Sequence, residues 1–166
     1  MNDFKIDIDY SKLNVSSFNE LSIMTCPIKI SINGINITSN SEEKTPYVED
    51  VPFYLILSLL NLIPDLKAGY SQKYIFFNTP ICFELEPAKE IVKIKPYWTD
   101  DQEYLNSGSD IFNKEYTIDM KKYFKEILRN SDIFYEFVKK NLPQEQFELL
   151  SEFENNLLNI KKTIES

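Results

Sequence analysis

The chain predicts an α+β domain in which an antiparallel sheet packs on a buried helix and a C-terminal helical hairpin closes the structure. Three observations carry that prediction. Asn33-Gly34 sits in the middle of an isoleucine-rich run, residues 51–63 are apolar nearly all round, and beyond Thr117 apolar residues recur at helical spacing. Its 166 residues suit a single domain, 1–166, with no repeat and no linker long enough to divide it.

Each element follows from its pattern. FKIDIDY (4–10) alternates, with Phe4, Ile6, Ile8 and Tyr10 on one face, and reads as a half-buried strand. A weaker strand is expected over 18–25, around Leu21 and Ile23. In PIKISINGINIT (27–38), Asn33-Gly34 is the favoured pair for a two-residue type I′ turn. That turn sets Ile32 against Ile35 and Ile30 against Ile37, leaving Lys29, Ser31, Asn36 and Thr38 outside. Asp50 is placed to cap a helix with Pro52 in its first turn; Pro64 ends or kinks it and Gly69 closes the segment. KYIFFN, ICFELE and IVKIKP (73–96) read as a three-stranded meander, the last strand lying near an edge with Lys93 and Lys95 wet. A helix starting at Thr117 is one long element or two joined near Asn130-Ser131. Asn141-Leu142-Pro143 interrupts it, and a last helix runs to about Lys162 with Phe147, Leu150, Phe153, Leu157 and Ile160 as its stripe.

Composition narrows the chemistry. Histidine is absent, which excludes serine–histidine and cysteine–histidine catalysis and every histidine-built zinc site. The two cysteines, Cys26 and Cys82, lie in apolar strands and read as buried free thiols. The N-terminus has acids and no apolar core of a secretory signal, and the longest apolar run, 51–63, is short of a membrane span, so a cytoplasmic protein is expected. The net charge of −8 is uneven: residues 99–119 hold six acids and one lysine, whereas 120–166 balance. Such a field repels nucleic acid and anionic membranes and attracts basic partners.

The most concentrated stretch is PYWTDDQEYLNSGSD (96–110). It fails the calcium-loop pattern, because the sixth position from Asp100 or Asp101 is Leu105 or Asn106 and not glycine. No metal or other cofactor is expected. A metal-dependent nuclease of the restriction-endonuclease type is one alternative: its pattern is approached by Pro64-Asp65 and Glu84-Leu85-Glu86, but the closing lysine is replaced by Glu86. A nucleic-acid mimic or phage-type inhibitor is another, although it needs acids spread along one face.

The order of a hairpin with an I-x-I-N-G-x-x-I core (27–38), an apolar helix (51–69) and a meander (73–98) resembles the small cytoplasmic immunity proteins of bacterial polymorphic-toxin and contact-dependent inhibition systems. That resemblance implies a non-catalytic inhibitor that binds one cognate toxin domain, often a basic nuclease, and occludes its active or essential surface. It carries no residues over. From charge and aromatics alone, the expected partner-binding residues are Tyr97, Trp98, Asp100, Asp101, Glu103, Tyr104 and Asp110, with acids steering a basic protein and rings anchoring it.

Overall fold

A computed structural model describes residues 3–38, 47–99 and 114–165. Its fold is α+β with two antiparallel sheets. In the first, β1 (Phe4–Ile8) pairs with β2 (Cys26–Ile32), Ile6 opposite Ile30. The far side of β2 is shared, its end taken by β3 (Ile35–Asn36) and its start by β4 (Val48–Asp50). The turn is the one the sequence predicts: Asn33 and Gly34 both have positive φ, +54° and +80°, and Ile32 opposes Ile35.

Two details of the hairpin differ from expectation. Ile30, Ile32 and Ile37 are buried, but Ile35, beside the turn, is 46% exposed. Thr38 is not outside but buried, because its hydroxyl accepts the Ile30 N–H at 3.0 Å while Ile37 N–H donates to the Ile30 carbonyl at 2.9 Å. A side-chain oxygen thus stands where the next rung of the ladder belongs.

The strand expected over 18–25 is instead a short helix, α1 (Phe18–Leu21). Ser17 and Glu20 have capping-box spacing, and the Glu20 carboxylate accepts the N–H groups of Ser16 (2.7 Å) and Ser17 (3.2 Å). Ile23, expected in the strand, is 73% exposed.

Helix α2 (Pro52–Lys67) buries Leu55, Ile56, Leu59, Leu60, Ile63 and Leu66. Its N-cap is Val51, not Asp50, and it continues through Pro64 to end before Gly69, whose φ is +91°. Asp50 is drawn into β4 and serves another purpose, described below.

The second sheet has the order β5-β6-β7-β8, from β5 (Gln72–Ile75), β6 (Ile81–Ala88), β7 (Ile91–Trp98) and β8 (Tyr116–Asp119). The fourth strand corrects two expectations. Residues 116–118 alternate buried, exposed, buried, so Thr117 belongs to a strand, and β7 lies inside the sheet and not at its edge. The helix starts three residues later than Thr117, at α3 (Met120–Asn141), where Asp119 accepts the Lys122 N–H at 2.9 Å as N-cap.

Helix α3 is one element. Asn130 and Ser131 are buried within it, their side chains donating to the carbonyls of Glu126 and Ile127. After the break at Leu142-Pro143, α4 (Phe147–Glu165) returns with Leu150, Phe153, Leu157 and Ile160 buried. Helix α3 reaches both sheets, packing on β1 through Phe4 and Tyr123 (centroids 4.8 Å apart) and on β7 and β8. The buried residues of both sheets and the helices form one continuous apolar core.

Candidate functional site

The pleat of the second sheet sorts its side chains. Tyr74, Phe76, Phe83, Leu85, Val92, Ile94 and Ile118 face the helices and are buried. The register lines up the opposite face in cross-strand rows. Lys95, Glu84 and Lys73 form one row, and Tyr97, Cys82 and Ile75 the next, towards the end where the chain leaves β7 at Thr99. In the first row Lys73 is paired: its Nζ lies 3.0 Å from Glu84 and 5.8 Å from the centre of the Tyr97 ring. The adjoining row continues the pattern with Lys93 near Glu86 and Glu115, at 3.8 and 3.7 Å.

The Tyr97 row is different. Ile75 and Phe77 are 62% and 61% exposed, and the Phe77 ring stacks on Tyr54 of α2 with centroids 4.9 Å apart. Tyr97 is half-buried above the buried Cys82, and a hydrogen bond between the two raises the phenol's pKa, burial adding to it. Burial also pushes the Cys82 thiol up, against the hydrogen bond from Tyr97 and the Lys73 charge. Ile75 and Tyr97 therefore make an apolar row at the end of an otherwise charged face, and Phe77, stacked on Tyr54, follows just beyond β5. Such clusters are what protein interfaces use as anchors.

Asp50 holds this end in place from the other sheet. Its carboxylate is buried; Oδ1 accepts the N–H of Val51 at 2.6 Å and of Phe77 at 3.2 Å, and Oδ2 meets no hydrogen-bond partner among the described residues. Burial raises its pKa, with the N–H groups of Val51, Asn78 and Phe77 opposing the rise.

Of the residues expected to bind a partner, Tyr97 belongs to the exposed cluster. Trp98 ends β7 opposite Ile81. The side chain of Trp98, together with Asp100, Asp101, Glu103, Tyr104 and Asp110, lies outside the described residues. Sequence reasoning missed Tyr54, Ile75 and Phe77. The signal was present in Tyr74-Ile75-Phe76-Phe77, four large apolar residues in a row, because a strand with one wet face cannot bury all four.

The carboxylates of the nuclease alternative are scattered among other tasks. Asp65 lies on helix α2 and accepts from the Gln72 amide at 3.0 Å, while Glu84 and Glu86 are on the lysine-paired face of β6. Among the described residues no group of three or more cysteines, aspartates or glutamates is placed to hold a metal ion, and no helix is long and apolar enough to cross a membrane. Comparison with known proteins finds no matching family model, curated protein or solved structure.

Proposed function

We propose that this chain is a non-catalytic binding protein, an immunity protein that neutralises a cognate bacterial toxin domain in the cytoplasm by covering its active or essential surface. The observation that carries the reading is the exposure of Ile75 and Phe77 beside Tyr54 and Tyr97. This apolar end adjoins the point where β7 gives way to residues 99–119, the most acidic stretch of the sequence. A basic protein domain suits that pairing. Opposite charge speeds the encounter, and desolvated rings slow departure. Large aliphatic and aromatic groups left in water add little to the stability of the free protein, which is why they favour a partner over a catalytic reading.

The test first asks whether a toxin domain is encoded beside this gene and then, with that domain, separates the two contributions. Phe77→Asp is expected to raise the dissociation rate by at least about tenfold with little change in association. Reversal of Asp100, Asp101 and Glu103 to lysine is expected to slow association at low salt and to matter less as salt screens the field. Binding rates that neither change alters would reject this surface, and absence of binding to that toxin domain would reject the immunity reading.

A further inference from the structure

Antiparallel pairing alternates the backbone groups that face a neighbour with those that face away. Phe76 N–H donates to the Ile81 carbonyl at 3.0 Å, so Gln72, Tyr74 and Phe76 present their amides and carbonyls to β6. Lys73 and Ile75 therefore present theirs to the opposite side, where no strand pairs with β5 among the described residues. Phe77 shares that outward direction, but its N–H is held by Asp50, so the pairing edge amounts to Lys73 through Ile75.

A lysine on an edge strand ordinarily discourages pairing. Here the Lys73 ammonium is drawn across its own sheet to Glu84 and Tyr97, and Ile75 stands exposed beside it. The charge nearest the edge is paired within its own sheet, Lys73 with Glu84, so two copies meet there without bringing Lys73 against a like charge.

We propose that β5 pairs with β5 of a second copy of this chain, antiparallel and centred on Tyr74. In that register Lys73 of one copy lies opposite Ile75 of the other, and both residues with outward backbone groups are used twice. The lysine stem covers the isoleucine, and the two sheets become one continuous eight-stranded sheet. The twofold axis runs perpendicular to that sheet, so both Tyr97 rows face the same side. The proposal needs no toxin partner, and its test is made on this chain alone.

Sedimentation velocity over a roughly hundredfold concentration range should show a monomer–dimer equilibrium. Added salt should tighten it, because each copy carries a net charge of −8 that repels the other at long range. Ile75→Pro removes an N–H that β6 does not use, so the sheet is kept and the pairing is lost. Ile75→Lys sets lysine against Lys73 of the mate in both halves of the interface. Each variant is expected to weaken the dimer by about tenfold or more, and Ile75→Lys decides the matter if the proline variant does not fold. A wild-type chain that stays monomeric throughout, or a dimer that survives Ile75→Lys unchanged, overturns the proposal.

Discussion

Ile6 on β1 and Ile75 on β5 occupy equivalent positions, each on an outer strand with its backbone N–H and C=O directed away from the sheet. At Ile6 both groups are occupied. Glu126 Oε1 accepts the N–H at 2.9 Å and Arg129, the only arginine, donates to the carbonyl at 3.2 Å. The two side chains are locked to each other by paired bonds of 2.6 and 2.8 Å, and Asn130 supports Glu126 at 3.0 Å. They imitate one rung of a neighbouring strand. A further rung is imitated at Ile30, where Thr38 accepts the N–H left over between β3 and β4. Among the described residues no such device lies along β5, and Ile75 and Phe77 are exposed. One sheet has its outer strand closed by side chains, while the other keeps the outward backbone groups of Lys73 and Ile75 without a pairing strand among the described residues.

Removing the closure should show its worth first at Glu126. Glu126→Ala strips the acceptor from Ile6 N–H and leaves Arg129 beside β1 without its carboxylate. A loss on the order of 3 kcal/mol in urea unfolding is expected. That component also has a pH signature. Burial alone would raise the Glu126 pKa, but the hydrogen bonds from Arg129 and Ile6 N–H, with the Arg129 charge and Asn130, outweigh it and lower it. Stability from this group is therefore present above the ordinary carboxylate range and is lost as pH falls through the lowered value. Thr38→Val keeps the shape and removes the acceptor from a buried N–H, for an expected loss of about 2 kcal/mol. Wild-type stability in both variants would mean that water closes these rungs equally well and that the contrast between the sheets is not energetic.

The parts of this fold that were legible in sequence are those set by local chemistry. The Asn33-Gly34 turn needs two left-handed residues and fixes its own register, and the stripes of α3 and α4 repeat over several turns. Short elements were harder to read. Ser17 to Glu20 carries a capping box that outweighs the strand propensity of Leu21 and Ile23, and Tyr116 to Ile118 is too brief for two-residue alternation to stand apart from the helix that follows. The closures could not be read at all, because Glu126 and Ile6, or Asp50 and Phe77, meet only in three dimensions. Of the candidate site, Tyr97 was found from its aromatic neighbours. Its companion Ile75 comes from another strand, and only pairing register brings it into the same row, while Tyr54 joins from α2 through its stack on Phe77.

Asp50 offers a contrast in sign. It ties the start of α2 to the end of β5, yet burial holds its pKa above the ordinary value. A carboxyl raised in the folded state contributes stability that is complete in acid and is lost as pH climbs from the ordinary range through the raised value. Asp50→Asn retains an acceptor for Val51 and Phe77 and carries no charge. Its unfolding midpoint should change less than that of wild type over that interval, with the two converging in acid apart from a constant offset. Parallel pH profiles would show that the wild-type carboxylate is hydrated well enough to escape the cost of burial.

The smallest expected effect on stability bears most directly on function. Phe77→Ser removes a ring that is 61% exposed and whose main neighbour is Tyr54. The stacking contributes about 0.5–1 kcal/mol and the exposed area adds little, so unfolding should shift by no more than about 1 kcal/mol. The Asp50 bond to the Phe77 N–H is made by the backbone and survives the change. A loss of about 3 kcal/mol, comparable to opening the closure at Glu126, would make the ring a structural part of the core. It would remove the reason for assigning this end of the sheet to a partner. A near-silent change in stability, set beside a faster release of the toxin domain, is the combination that a binding surface requires and a core does not produce.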